Sequence, residues 1–259
     1  MAKNRSAYLT RAINKVPEVT LAFWIIKIMS TTVGETGADY LAVNVGLGAI
    51  VTDAITAALL IVALLAQLRS RRFVPWIYWL TVVLVSVVGT QITDALTDGA
   101  GVSLYASTAC FGVMLAAIFW FWYRAEGTLS IRAIDSRPRE LFYWGAILCT
   151  FALGTAAGDL ATEALGLGFS LGVVIFSALI ALTAFAAYLG LNRVTAFWIA
   201  YVLTRPLGAS LGDLLSQSRT YGGVGLGTIY TSAIFLTIIV ALVAYVSIAK
   251  PKADESSLA

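Results

Sequence analysis

Long apolar runs fill most of this chain, and short polar segments interrupt them at nearly even intervals. A helix crossing the hydrocarbon core of a bilayer needs about 20 mostly apolar residues. Runs of that kind lie at roughly 18–41, 47–68, 75–97, 103–123, 141–163, 168–190, 195–216 and 227–249. The pattern predicts an all-α integral membrane protein with eight transmembrane helices, forming one domain over residues 1–259. The first run reads as a span rather than a cleaved leader: it is too long, lacks a small-residue cleavage site and carries polar residues throughout.

Composition agrees with the pattern. Of 259 residues, 59% are hydrophobic and 12% charged, against roughly 45–50% and about 25% in soluble domains. A soluble chain of this size has too little interior for so much apolar surface, so lipid is the expected surrounding. The net charge is only +3. No basic patch interleaved with exposed aromatics and no nucleotide-binding glycine fingerprint is present, which argues against nucleic-acid or nucleotide partners. The absence of histidine excludes His-dependent triads and imidazole metal sites. Cys110 and Cys149 are read as small core residues, not as a disulfide framework.

The bases change the picture by fixing orientation. Lys3, Arg5, Arg11 and Lys15 precede the first span, and Arg69, Arg71 and Arg72 follow the second. Arg124, Arg132, Arg137 and Arg139 follow the fourth, Arg193 the sixth, and Lys250 and Lys252 the last. The opposite loops hold only Arg219. By the positive-inside rule both termini are expected in the cytoplasm.

Alignment of the chain against itself shows a repeat. Trp24, Gly34 and Asp39 are separated by ten and then five residues. The same frame recurs at Trp79, Gly89, Asp94, at Trp144, Gly154, Asp159 and at Trp198, Gly208, Asp213. Four helical hairpins follow, at roughly 16–70, 73–125, 139–191 and 193–250. Each inserts in the same sense, so they form parallel repeats about an axis along the membrane normal. The Trp column is expected to serve as an interfacial belt or as packing. The glycines are expected either to let helices approach closely or to let them unwind. Pro206 is expected to kink the fourth motif helix. In this repeated G-x-x-x-x-D hairpin the chain resembles a family of bacterial membrane proteins built from repeats of unknown function, the uncharacterised membrane-anchored proteins. The resemblance implies an integral membrane protein, multi-pass in the inner membrane of a bacterium, and points to metal-ion export.

The acids carry the candidate chemistry. Glu35, Asp39, Asp53, Asp94, Asp98, Asp159, Glu163 and Asp213 fall in or beside spans, with Lys27 and Arg205 as the accompanying bases. Each charge at mid-membrane costs about 2.5–3.5 kcal/mol on insertion scales. Residues four apart share a helix face. Lys27, Thr31, Glu35 and Asp39 therefore form one stripe. Ser86, Thr90, Asp94 and Asp98 form a second, Thr155, Asp159 and Glu163 a third, and Arg205, Asp213 and Gln217 a fourth. Lipid does not solvate such stripes, so they are expected to line a polar central cavity. Carboxylates, hydroxyls and carbonyls suit hard cations. Glu35, Asp39, Asp94, Asp159 and Asp213 are the candidate ligands. Lys27, Asp53, Asp98, Glu163, Arg205, Thr90 and Thr155 are candidates for proton coupling or support. Asp98 and Glu163 could equally line a solvated mouth.

The expected function is secondary transport, as an exporter of a hard divalent cation with Mn²⁺ favoured over Mg²⁺ or Ca²⁺, coupled to protons and needing no cofactor. An intramembrane aspartyl hydrolase is the alternative from the enzymes, since paired aspartates sharing a proton activate water. A cation channel and a membrane scaffold are the others. The sequence leaves the oligomeric state open.

Overall fold

The structure, a computed structural model, describes residues 14–44 and 48–249. The bases before residue 14, Lys250, Lys252 and the Gly46 turn lie outside the described residues. Within them, all regular structure is helical: α1 (Leu21–Asn44), α2 (Ala49–Arg69), α3 (Pro75–Asp94), α4 (Leu104–Glu126), α5 (Arg137–Asp159), α6 (Gly168–Tyr188), α7 (Arg193–Ser216) and α8 (Thr228–Ala249). Local chemistry sets several ends. Pro75 and Pro138 occupy first-turn positions, where no intrahelical donor is needed. The Asn192 side chain accepts from Val194 N at 2.9 Å and caps α7. Gly127, at φ +68°, closes α4 in the left-handed conformation that glycine takes without strain.

Seven of these helices are long and apolar enough to cross a membrane, and the chain is a multi-pass membrane protein. α1 is not among the seven. It carries Lys27, Glu35 and Asp39 together with Ser30, Thr31, Thr32 and Thr36, which lower its hydropathy below that of its neighbours.

The helices form two concentric groups. α1, α3, α5 and α7, which bear the repeated motif, close into an inner ring, each packed on the next and α7 on α1. The other four lie outside. Burial separates the groups: 67% of the apolar window of α5 is buried, against 17% for α6. The outer helices present Ile50, Val62, Val113, Leu182 and Val240 outward, as lipid-facing helices do.

The hairpin expected for each repeat is open. Each outer helix packs mainly against the motif helix that follows it: α2 on α3, α4 on α5, α6 on α7, with α8 returning to α1. The connections at 70–74 and 189–192 are short and hold α2 to α3 and α6 to α7. The structural pair is therefore shifted by one helix from the sequence repeat.

Two columns of the motif build the ring. At the glycine level, Gly34 receives the Ser86 side chain, Gly89 that of Phe151, Gly154 that of Arg205 and Gly208 that of Thr31. Each partner stands three residues before the next helix's own column glycine, so the contact is cyclic. A Cβ on Gly89 would lie 2.6 Å from the Phe151 Cβ, well inside the optimal separation of about 3.5–4.0 Å. The helices run unbroken through all four glycines, which decides between the two expectations in favour of close approach. α7 likewise continues through Pro206.

At the tryptophan level the packing is cyclic again. Phe23 meets Trp79 at 5.6 Å, Tyr78 meets Trp144 at 5.6 Å, Tyr143 meets Trp198 at 6.3 Å and Phe197 meets Trp24 at 5.7 Å. Trp79, Trp144 and Trp198 are buried. The column is thus an internal aromatic girdle rather than an interfacial belt. Cys149 is buried, as expected, whereas Cys110 is exposed on α4 because that helix turns its outer face away from the ring.

Candidate functional site

Between the girdle and the far end of the ring, the polar stripes meet. The residue following each column glycine is Glu35, Thr90, Thr155 or Ala209. The first three converge on one atom of Arg205, which reaches in from one turn below its own column glycine. Arg205 Nη2 donates to Glu35 Oε2 at 2.6 Å and to Thr155 Oγ1 at 2.7 Å, and also to Thr90 Oγ1. Nη1 donates to the Thr31 carbonyl at 3.1 Å. One guanidinium from α7 therefore ties α1, α3 and α5 together. It is fully buried, and Glu35 nearly so.

Exposure rises along the ring from this node. Asp213 is buried, Asp39, Asp94 and Asp159 are half-buried, and Asp98 and Glu163 are exposed. Each column aspartate stands five residues after its glycine and Glu35 one residue after Gly34, so the five acids lie on the same side of the glycine level. Among the described residues no three of them stand close enough to hold one metal ion. Just past Asp94 and Asp159 the helices widen into π-helical turns, Ala95–Gly99 and Leu160–Ala164, a geometry frequent at functional sites. Asp98 and Glu163 sit on these turns, which favours the solvated-mouth reading for both.

On the girdle side of the node lies the second base. Lys27 is buried, and its Nζ has no hydrogen-bond partner. It rests 3.9 Å from the centroid of Phe151 and 4.4 Å from that of Tyr201, where ring quadrupoles offset part of the cost of burying a cation. Arg205 lies 5.8 Å from the same Phe151 ring. Lys27 and Arg205 thus flank one aromatic residue instead of both pairing with acids. Asp53 stands apart from this group, half-buried on outer helix α2.

At the level of Glu35 the polar stripes meet through the Arg205 guanidinium, to which α1, α3 and α5 each turn a side-chain oxygen. The equivalents of Arg205 in the other repeats are Thr31, Ser86 and Phe151, none of them charged.

Sequence reading missed a second buried polar cluster at the base-rich end. Lys15 Nζ meets Glu140 Oε2 at 2.6 Å and the Leu68 carbonyl at 3.2 Å, and Gln67 Nε2 donates to Glu140 Oε1 at 3.2 Å. Glu140 is fully buried. It has no counterpart in the other repeats, so periodicity gave no signal. Lys15 was assigned to the topogenic bases, yet here it is a buried ion-pair partner. Also missed was the aromatic residue before each motif Trp, at Phe23, Tyr78, Tyr143 and Phe197. That signal was present in all four copies. Tyr78 and Tyr143 further share a 2.5 Å hydroxyl contact.

A family model, the Repeat of Unknown Function (DUF347), matches residues 22–73, 77–128, 142–190 and 196–251. No curated protein and no solved structure matches the chain. Each matched segment begins just before a motif Trp and takes in one motif helix with the outer helix that follows. Four such matches span most of the sequence, and the chain belongs to the family of the Repeat of Unknown Function (DUF347).

Proposed function

We propose that this protein is a secondary active transporter that exports a hard divalent cation, Mn²⁺ foremost, in exchange for protons across a bacterial inner membrane. In this reading α1 is an eighth span, shielded from lipid by its neighbours. The bases place both termini in the cytoplasm, and the acidic end faces outward. The observation that carries the reading is the gradient along one ring: exposed Asp98 and Glu163, then the column aspartates, then buried Glu35 held by Arg205. Counting the half-buried Asp39, Asp94 and Asp159 with buried Glu35 and Asp213, the acids of the ring outnumber its two bases, and the surplus calls for cations or protons to neutralise it. Oxygen donors without imidazole favour hard ions. Carboxylates that alternately hold metal and protons supply the exchange.

Gathering three carboxylates on one ion requires rearrangement, because among the described residues no three stand close enough to hold it. The π-helical turns beyond Asp94 and Asp159 give those helix ends a register change through which to draw together.

The test is Mn²⁺ flux in proteoliposomes under an imposed pH gradient, with a panel of Mg²⁺, Ca²⁺ and Mn²⁺ binding on purified protein. Asp39→Asn and Asp159→Asn should each abolish flux while the protein stays folded. Undiminished flux in both variants would sink the proposal.

A further inference from the structure

We infer that the oxygens around Arg205 form a cation site in their own right, and that Arg205 is its tethered occupant. The donors are Glu35 Oε2, Thr90 Oγ1 and Thr155 Oγ1, with the Thr31 carbonyl beside them. One carboxylate, two hydroxyls and a carbonyl are the ligand set of a hard cation. They come from three helices other than the one that supplies the arginine. The inference deepens the cation-transport reading and rests on it for the identity of any physiological ion. The site itself is testable without transport.

The fit between arginine and site is what argues for a stand-in. A guanidinium that clasps a carboxylate frequently does so through two parallel hydrogen bonds. Arg205 touches Glu35 through Nη2 alone. That nitrogen carries two hydrogens and faces three oxygens, so at most two of them accept from it at once, and Glu35 Oε2 has a second donor in the Thr90 hydroxyl at 3.4 Å. A spherical cation has no such limit on ligand number. The Nε of Arg205 is buried without an acceptor, so the guanidinium spends donors poorly on one side and is short of them on the other. Its stem, meanwhile, fills the notch opposite Gly154. The charge is thus delivered to the oxygens of three helices by a side chain anchored on a fourth.

A consequence follows for the empty protein. With Arg205 on Glu35 the buried acid is neutralised without bound metal. An incoming cation must compete with the guanidinium, and the competition links occupancy of the oxygens to the position of α7.

The experiment is rescue by free guanidinium ion. Purified full-length Arg205→Ala is titrated with low millimolar guanidinium, following its thermal unfolding midpoint. Urea, of the same shape but uncharged, serves as the control. The account predicts a saturable rise of several degrees with guanidinium, none with urea, and none in wild type, whose site is filled. The rise should vanish in the double variant Arg205→Ala with Glu35→Gln. If Arg205→Ala folds only when guanidinium is present during purification, the inference is supported. Equal responses to guanidinium and urea would overturn it. So would a rise that persists without the Glu35 carboxylate, or a chain that guanidinium fails to restore although Arg205→Lys folds. Flux enters none of these readings. A rescued site in a protein that moves no Mn²⁺ would therefore discard the transport proposal and keep this one.

Discussion

The ring contains levels that obey the four-fold repeat and one level that breaks it. At the tryptophan and glycine levels, every helix makes the same contact with its neighbour: aromatic on tryptophan, and side chain into glycine. One turn from the glycines, symmetry fails. Glu35, Thr90, Thr155 and Ala209 occupy equivalent places, and of the residues at the Thr31 position only Arg205 is charged. Repetition suits packing, because one complementary contact used four times closes a ring. An ion pair does not survive four-fold repetition, since four arginines or four glutamates at one level would repel. The regular levels therefore build the ring, and the irregular level holds its buried charge.

Breaking the irregular level should have the largest effect. Glu35→Gln leaves Arg205 as a buried cation without a carboxylate, and a loss of about 3–5 kcal/mol is expected. Denaturant unfolding in detergent measures it. Damage to a regular level comes next. Gly89→Val drives a branched side chain into Phe151 and should cost about 1–3 kcal/mol. Gly145→Ala, on motif helix α5 with nothing within 4 Å of the added Cβ, should be neutral or stabilising. Equal losses from both would remove the special status of the column glycines. A smaller effect attaches to Tyr78→Phe, which deletes the hydroxyl contact with Tyr143 within the girdle. About 1 kcal/mol is expected, with Mn²⁺ binding unaltered in equilibrium titrations. The smallest change in stability should come from Asp159→Asn, within about 0.5 kcal/mol, because this half-buried carboxylate sits beyond the ring's packing levels.

How much of this was legible in the chain follows from the same division. The eight helices, the repeat and the equivalence of the Asp positions could be read directly, because apolar run length and fixed spacing are local properties. The stripe rule also placed Lys27, Thr31 and Glu35 on one face, and Arg205 on another. What spacing could not give was the partner of each stripe. That Arg205 reaches Glu35 depends on α7 closing against α1, a contact between the two ends of the described chain. The pairing of each outer helix with the next motif helix was hidden for a related reason: sequence repeats begin where similarity begins, not where contacts are densest. Lys15 and Glu140 were out of reach because their pairing occurs once, at a position the repeat does not mark.

The most direct measurement is a double-mutant cycle at the level that breaks the repeat, with Glu35→Gln, Arg205→Met and the combination compared for unfolding stability and Mn²⁺ flux. The account predicts that each single variant is strongly destabilised, that the combination recovers to within about 1 kcal/mol of wild type because neither member of the pair is left buried without the other, and that flux is lost in all three. Losses that simply add in the combined variant, or flux that survives in it, would contradict the account.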